Sequence, residues 1–192
     1  LPLGDRMWVG TWDGLSELDR TGQVLRSFRP SPTAAAGAAA GDASPAPGAL
    51  SDPYVIDLLA DPGGGIWVAT ARGINHLDPA TGVIRSVPLL ADGDAGEVAP
   101  WVSSLLLDRL GRLWVGTLGA GIAVLEDRLA PRPVIRRIGT RQGLGSANIA
   151  LLLADAAGRI WASSHGGLAV IDPDSLQPRT LGPADGLATG TF

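Results

Sequence analysis

The stretch Leu105-Leu-Leu-Asp-Arg-Leu-Gly-Arg-Leu-Trp-Val-Gly-Thr117 decides the fold of this 192-residue chain. Two short apolar runs flank Asp108 to Gly111, and Asp-x-x-Gly is the signature of a type I turn, with Asp first and Gly fourth. The second run, Arg112 to Thr117, is apolar on both faces, which is typical of a strand in a sheet packed between two other sheets. The stretch therefore predicts a buried antiparallel hairpin.

The same pattern occurs four times along the chain. Four of the six tryptophans stand in it, separated by 59, 47 and 47 residues: Trp8, Trp67, Trp114 and Trp161. In the last three copies an Asp lies six residues before the Trp and a Gly lies three residues before it. After the Trp, every copy has a Gly followed by Ile or Leu, and then an apolar-acidic pair. Such a period predicts stacked units of a few secondary-structure elements each.

Each copy supplies enough short strands for one blade of a β-propeller. The hairpin provides two strands, a third follows the Gly-Ile or Gly-Leu pair, and a fourth is predicted at Val24 to Phe28 and at Val83 to Val87 after an Asp…Thr-Gly turn. Four antiparallel strands in roughly 40 to 50 residues describe a propeller blade. We therefore predict an all-β fold, a β-propeller with about four blades of four antiparallel strands. The predicted boundaries are about 1–30 for blade 1, 51–97 for blade 2, 98–144 for blade 3 and 145–191 for blade 4.

A low-complexity insert separates the first two copies. Residues 34–49 contain nine Ala, three Gly and two Pro, and none of their side chains is larger than that of Asp. Such a segment cannot bury an apolar face, and its glycines and prolines disfavour a helix. We predict a mobile loop between blades over residues 31–50.

Composition excludes several classes of function. The basic residues are 15 scattered Arg against 19 acidic residues, giving a net charge of −4, so we expect no binding of nucleic acid. The chain has no Cys and two His, which excludes disulfide scaffolds, thiolate chemistry and a His-rich metal centre. We therefore predict no cofactor and no metal site. No apolar run approaches the roughly 18 residues that cross a bilayer, so this segment is expected to make no membrane contact.

These residues resemble the two-component regulator propeller repeat. The pattern of that family is an apolar run, Asp-x-x-Gly, apolar-Trp-apolar-Gly-Thr, then Gly-Gly-Leu and an apolar-Asp pair, and residues 105–117 match it most closely. The resemblance implies the periplasmic or extracellular sensor portion of a bacterial inner-membrane receptor, with a histidine kinase or a diguanylate cyclase as output domain. Family members often carry two seven-bladed propellers, and some sense oligosaccharides.

The two ends of the chain do not coincide with blade boundaries. Leu1 to Arg6 can supply only the turn before Trp8, and Phe192 aligns with Ile149 at the opening of a further blade. A propeller closes by pairing strands from its two ends, because an open arc exposes apolar faces and an unpaired edge. We therefore expect a segment of a larger, seven-bladed type of propeller, whose partners are the remaining blades of the parent chain. A closed four-bladed ring is the alternative.

Variable positions in two loops of each blade are the candidate ligand site. The loop that enters the first strand and the loop between the second and third strands lie on the same face of a blade. Positions that recur between copies are structural, whereas those that differ are free to specialise. The differing residues are Trp12, Asp13, Tyr54, Arg72, Trp101, Asn148 and His165. Aromatic faces with a few polar groups suit a small polar ligand, such as an oligosaccharide.

Structural roles compete with this hypothesis. Trp12 and Trp101 could pack between neighbouring blades, and Arg72 could pair with Asp13 or with a repeat aspartate. The four repeat tryptophans are expected in the blade cores because their positions are equivalent. His76, within a predicted strand, is interpreted as a structural residue. The repeat aspartates are interpreted as turn formers and not as a catalytic cluster: Asp61, Asp108 and Asp155.

The sequence thus predicts a ligand-binding sensor propeller with no catalytic residue in this segment. The signal would pass to the output domain through a conformational change or a change in the geometry of a homodimer of the parent receptor. Two alternatives remain. Propeller lyases and lactonases carry a His-based or metal site at the channel mouth, for which His165 with Asp13 would be the sole candidates. A protein-interaction propeller would instead bind a protein partner and no small molecule.

Overall fold

The computed structural model describes residues 1–30, 48–89 and 99–187. Over these residues the chain forms sixteen β-strands and two single-turn 3-10 helices, Thr140–Gln142 and Pro183–Asp185. Most of the predicted inter-blade loop lies outside the described residues, as do the ends of the predicted blades 2 and 4.

The sixteen strands form four separate sheets, and each sheet is a meander of four strands that follow one another in the chain. Blade 1 contains β1 (Pro2–Leu3), β2 (Arg6–Thr11), β3 (Gly14–Leu18) and β4 (Val24–Phe28). Blade 2 contains β5 (Val55–Ala60), β6 (Ile66–Thr70), β7 (Gly73–Leu77) and β8 (Ile84–Val87). Blade 3 contains β9 (Trp101–Leu107), β10 (Leu113–Leu118), β11 (Ile122–Leu125) and β12 (Ile135–Ile138). Blade 4 contains β13 (Ile149–Ala154), β14 (Ile160–Ser164), β15 (Gly167–Ile171) and β16 (Pro178–Leu181).

The prediction of an all-β fold with about four blades of four antiparallel strands is confirmed. The expectation that Leu1 to Arg6 supply only a turn is wrong, because Pro2 and Leu3 pair with Met7 and Arg6 and so form the first strand of blade 1. The fourth strand of blade 1 has the predicted bounds, and that of blade 2 begins one residue later than predicted. Blades 3 and 4 also have a fourth strand, although neither carries the Asp…Thr-Gly motif before it. In blade 4 the preceding turn is closed by Asp172, whose carboxylate accepts the backbone N–H groups of Asp174 and Ser175. The same turn geometry is therefore reached with Ser175-Leu176 in place of Thr81-Gly82.

The Asp-x-x-Gly turns join the first and second strands of blades 2 to 4, as predicted. In each turn the Gly N–H donates to the Asp carbonyl oxygen at 2.9 to 3.0 Å. The Gly has a φ between 76° and 99°, a left-handed conformation that side chains with a Cβ adopt only with strain. The turn sequence is therefore dictated by the backbone conformation.

The chain divides into two compact units, Leu1–Val102 and Ser103–Phe192. In the first unit, the face of blade 1 that carries Trp8 packs on the face of blade 2 that is opposite to Trp67. The cluster consists of Trp8, Leu15, Leu50, Val55, Ile66, Val68, Leu77 and Ile84, all of them buried. A Cβ added at Gly10 would lie 2.4 Å from Cγ1 of Val55, so the Gly two residues after the Trp is needed for close approach of the next blade.

The second unit repeats this arrangement between blades 3 and 4. The face that carries Trp114 covers the face of blade 4 opposite to Trp161. The cluster contains Trp114, Ile122, Val124 and Ile138 of blade 3 and Ile149, Leu152, Ile160, Ala162, Ala169 and Ile171 of blade 4, together with Leu144. Hydroxyl groups add to the contact, because Ser103 donates to the carbonyl oxygen of Ile149 at 2.6 Å and the Ser104 hydroxyl accepts the N–H of Leu152 at 3.2 Å.

The repeat aspartates have a second role beside turn formation. The indole N–H of Trp67, Trp114 and Trp161 donates to the carboxylate six residues earlier, at 2.7, 2.8 and 3.0 Å respectively. This bond satisfies a polar group inside the sheet stack, where an unpaired donor is costly. Three of the four repeat tryptophans are fully buried, as expected, whereas Trp161 is only partly buried.

Candidate functional site

A repeated Thr or Ser holds the loop between the second and third strands in every blade. Its hydroxyl donates to a Gly carbonyl oxygen three or four residues later, at 2.8 to 3.0 Å. The hydroxyl oxygen of the Thr or Ser in turn accepts a backbone N–H from within the loop, at 3.1 to 3.2 Å. The residues that do this are Thr11, Thr70, Thr117 and Ser164. The loop is thereby closed by its own framework, and the side chains at its tip are not needed to hold it.

Two of the predicted site residues come together in the first unit. Trp12 lies in the β2–β3 loop and is 84% exposed, and Tyr54 lies just before β5 and is 44% exposed. Their ring centroids are 5.9 Å apart with an interplanar angle of 74°, an edge-to-face contact. Trp12 is therefore not packed between blades, and the pair forms an exposed aromatic surface on the face predicted for ligand binding.

Two ion pairs flank this aromatic pair. Asp13 accepts Nη2 of Arg29 at 2.6 Å, and Asp52 lies 3.8 Å from Nε of Arg72. The expectation that Arg72 pairs with Asp13 or with a repeat aspartate is wrong. Arg29, directly after β4, reaches Asp13 first because antiparallel pairing of β3 with β4 places Phe28 opposite Leu15. Both pairs are charge-balanced, so the surface offers hydrogen-bonding groups around the rings with little net charge.

Asp52 and Arg29 pair with residues of the candidate site and were not predicted from the sequence. Besides its ion pair, the Asp52 carboxylate accepts the backbone N–H of Tyr54 at 2.9 Å, and so fixes the approach to β5. The side chain of Asp52 is only 14% exposed. The Asp-Pro dipeptide at residues 52 and 53 is a turn signal that could have identified it. No comparable signal precedes Arg29.

The other predicted site residues lie at equivalent loop positions. Trp101 is the first residue of β9 and is 44% exposed. In the second unit, Asn148 comes directly before β13 and forms an isolated antiparallel bridge with Leu118 at the end of β10. His165 is exposed in the β14–β15 loop. The bridge from Asn148 to Leu118 places the loop before β13 beside the end of β10 in the neighbouring blade.

A groove of about 340 Å³ lies elsewhere in the first unit, between β2 and β5. Its lining includes Trp8, Gly10, Val55 and Leu58, and it contains neither Trp12 nor Tyr54. Within residues 1–30, 48–89 and 99–187, no three side chains of the types that bind metals are grouped closely enough to hold an ion. Over the same residues, no helix has the length and apolarity needed to traverse a bilayer.

Residues 96–119 match the family model of the two component regulator propeller. The match includes β9, the Asp108 turn and β10, and it confirms the resemblance seen in the sequence. Among curated proteins, no sequence shows a significant match to this chain.

Solved structures show the same fold over nearly the whole chain. The extracellular domain of BT3049 of B. thetaiotaomicron, described as a hybrid two component system, is 21% identical with a TM-score of 0.67, and the match covers 93% of this chain and 22% of that one. The corresponding domain of BT4673 from the same organism is 18% identical with a TM-score of 0.73, covering 96% and 24%. Virginiamycin B lyase from Staphylococcus aureus is 14% identical with a TM-score of 0.62, covering 93% and 53%.

The fold of the repeat-bearing chain is therefore that of a β-propeller. At these identities the likeness establishes the fold alone. The chain spans about a quarter of the length of the two extracellular domains that it matches. Propellers with an enzymatic name occur beside extracellular domains of signalling systems, so the fold does not separate those two functions.

Proposed function

We propose that this chain is part of the ligand-binding sensor propeller of a bacterial transmembrane signalling receptor. The propeller would lie on the periplasmic or extracellular side of the inner membrane and would relay its signal to a histidine kinase or diguanylate cyclase domain. The family match at residues 96–119 and the likeness to extracellular domains of two-component systems support this assignment. No catalytic role is proposed for this segment.

The exposed pair of Trp12 and Tyr54 supports ligand binding most directly. Indole and phenol faces accept the C–H groups of a sugar ring, and the neighbouring carboxylates and guanidinium groups accept and donate hydrogen bonds to its hydroxyls. Because Asp13 is paired with Arg29 and Asp52 with Arg72, a charged ligand would have to break an ion pair before it could bind. The site therefore favours a neutral polar ligand such as an oligosaccharide, with Arg72 and Trp101 of the same unit as further candidate contacts.

Thermal unfolding in the presence of neutral oligosaccharides tests this assignment. A sugar that binds the native chain raises its melting temperature by mass action. We expect the rise to be lost in Trp12→Ala and Tyr54→Ala and to be kept in Leu110→Ala, which removes an exposed apolar side chain from the turn between β9 and β10. A response that survives both aromatic substitutions would refute the site, and circular dichroism of each variant controls for folding.

The face of blade 4 that carries Trp161 supports a further blade of the parent chain as partner. Leu151 and Leu153 lie on this face and are 48% and 57% exposed. Their equivalents in blade 3, Ser104 and Leu106, lie against blade 4. Because the same face of blades 1 and 3 is covered by the next blade within each unit, this face is built to be covered too.

A single substitution tests whether a further blade covers this face of blade 4. Leu153→Glu should leave the melting temperature of this chain nearly unchanged but lower it in a longer parent chain that adds the next blade. Leu110→Glu, at an exposed apolar position of a turn, should have no effect in either chain. An equal loss in both chains would contradict the proposed partner.

Signal relay requires that the ligand bind two states of the receptor with different affinity. A homodimer of the parent receptor whose geometry changes on binding would meet that requirement. The relay is tested in the parent protein, where the oligosaccharide that stabilises the propeller should change the output activity and Trp12→Ala should abolish the change.

A further inference from the structure

Each repeat surrounds its tryptophan with a carboxylate and a cation. In blades 3 and 4 the cation is the Arg two residues before the Trp. Nε of Arg112 donates to Oδ2 of Asp108 at 2.6 Å, and the guanidinium carbon lies 5.9 Å from the centroid of Trp114. Blade 4 repeats this set with Arg159, Asp155 and Trp161, at 2.7 and 5.7 Å. In both blades the cation is permanent, because a guanidinium stays charged at all accessible pH values.

Blade 2 fills the same place with a histidine. The position two residues before Trp67 is Gly65, which has no side chain to pair with Asp61. His76, opposite Trp67 on β7, takes over: its ring centroid is 4.7 Å from that of the indole, and Nε2 lies 3.7 Å from Oδ2 of Asp61. A Cβ at residue 65 would lie 2.1 Å from Nε2 of His76, so the missing side chain and the imidazole occupy the same space.

We infer that His76 makes the core of blade 2 proton-sensitive, so that acidification stabilises this blade while the Arg-bearing blades keep a constant cation. The side chain of Asp61 is fully buried and that of His76 is 19% exposed. When the imidazole is protonated, Asp61 gains an ion pair in a place with little solvent screening. When it is neutral, the carboxylate retains its hydrogen bonds from Trp67 and from the backbone N–H of Gly63.

The charged groups around His76 within Leu1–Val102 act in opposite directions. Asp61 and Asp78 favour the imidazolium, and His76 in turn helps to lower the pKa of Asp78, after larger contributions from its hydrogen bonds with Thr81 and Ala80. Arg85 on β8 stands opposite His76 in the sheet and opposes protonation. Arg26 of blade 1 reaches the turn after Asp78, where it donates to the carbonyl oxygen of Pro79. The Asp61 carboxylate lies 3.7 Å from the imidazole and its side chain is fully buried, so the inference rests on this pair.

The sign of the pH effect follows from the ion pair. If folding favours the imidazolium, the native state binds more protons than the unfolded chain around pH 6.5, the ordinary pKa of histidine. The stabilisation is then fully present below that pH and is lost as the pH rises through the native transition. A histidine held neutral by burial alone would give the opposite slope.

Melting temperatures of the full chain at pH 5.5 and 8.0 test the inference. The conservative variant His76→Gln keeps a polar side chain of similar length but cannot be charged. We expect the wild type to exceed His76→Gln by about 2–4 °C more at pH 5.5 than at pH 8.0, the shift in melting temperature that a single favourable interaction gives in a chain of this size. His165→Gln, at the exposed second histidine, is the matched control and should show no such difference.

The double variant Gly65→Arg/His76→Val rebuilds the blade 3 arrangement in blade 2, because Val124 occupies the position opposite Trp114. It should fold, with a pH profile parallel to that of His76→Gln. A wild type whose advantage over both variants is constant with pH, or grows towards pH 8.0, would overturn the inference. If His76→Gln does not fold, the double variant alone decides between these outcomes.

Discussion

Blade 3 and blade 1 bury the same tryptophan with different polar partners. In blade 3 the indole N–H of Trp114 donates to Asp108, which also accepts Arg112. In blade 1 the residue six positions before Trp8 is Pro2, and the buried indole N–H of Trp8 has no hydrogen-bond partner among the described residues. Instead, Phe28 stacks on Trp8 at 5.9 Å and Arg26 lies over the ring at the same distance.

In blade 1 the buried carboxylate lies on a strand and not in the turn before the Trp. Glu17, opposite Trp8 on β3, is 7% exposed in its side chain and accepts Nε of Arg26 at 2.5 Å. Its counterpart opposite Trp114 is the apolar Val124. The buried carboxylate can therefore come from a different position in different repeats, provided that the tryptophan ring remains packed. The hydrogen bond from the indole N–H to that carboxylate is present in blade 3 and not in blade 1.

Removing the shared acceptor of blade 3 should have the largest effect. Asp108→Ala leaves the indole N–H of Trp114 and the guanidinium of Arg112 without their common partner and weakens the turn. We expect the free energy of unfolding to fall by about 3 kcal/mol in urea denaturation, since each buried donor left unpaired costs roughly 1–3 kcal/mol. Asp174→Ala, an exposed carboxylate in blade 4, is the control, and a loss below about 1 kcal/mol would contradict the role assigned to Asp108.

Replacing each indole by a phenyl ring compares the two blades directly. Trp114→Phe removes the hydrogen bond that the indole N–H donates to the buried Asp108 carboxylate, whereas Trp8→Phe removes an N–H that has no acceptor among the described residues. Both changes leave a similar cavity, so we expect Trp114→Phe to cost about 2 kcal/mol more than Trp8→Phe. Urea denaturation of both variants measures the difference, and equal losses would mean that the indole bond contributes nothing.

The Glu17 pair of blade 1 should contribute less. Glu17→Gln keeps the shape of the side chain but removes its charge, while Arg26 is 37% exposed and can turn to solvent. We therefore expect a loss of about 1 kcal/mol, between the values of surface pairs and buried pairs. Arg26→Met should produce a loss of similar size if the pair is the cause, and the double variant should then be no worse than either single change.

The smallest effect on stability is expected for the loss of the Asp155 charge in blade 4, and it should depend on pH. The hydrogen bond from Trp161 is the main reason that the pKa of Asp155 lies well below its usual value, and Arg159 adds to it. A native pKa below the unfolded value means that ionised Asp155 stabilises the fold above about pH 4 and that this contribution is lost as the pH falls. Asp155→Asn should thus melt slightly below the wild type at pH 7, with a gap that closes towards pH 2. A gap that widens in acid would show that the sign is wrong.

Asp108 differs from Asp155 in the balance of the same contributions. Burial by itself raises the pKa of Asp108, but the hydrogen bonds from Trp114 and Arg112 outweigh it and the pKa is lowered overall. The side chain of Asp108 is 2% exposed and that of Asp155 is 21% exposed. Water therefore helps to solvate the Asp155 carboxylate in blade 4, whereas hydrogen bonds from the protein alone stabilise the charge of Asp108 in blade 3.

Local patterns predicted the elements of this fold because each depends on neighbours in the chain. The Asp61 turn needs a Gly at its fourth position, and the strand after it needs apolar residues on both faces. The site loops were predicted for the same reason, since Thr11 and Thr70 close them through residues three positions away. The fourth strands of blades 3 and 4 were expected from the repeat but not located in the sequence, because pairing with β11 and β15 maintains them without a turn motif.

The amino-acid sequence by itself determined that the chain forms propeller blades, and it located the variable loops, because period, turn residues and apolar alternation act over a few residues. Tertiary structure alone decided which side chains meet: Trp12 with Tyr54, Arg29 with Asp13, and His76 with Trp67 and Asp61. The residues in such contacts lie far apart along the chain, and Trp12 and Tyr54 are separated by 42 residues. The packing of the sheets sets the distance between these side chains in space, since a side chain pairs with the nearest group that close packing allows.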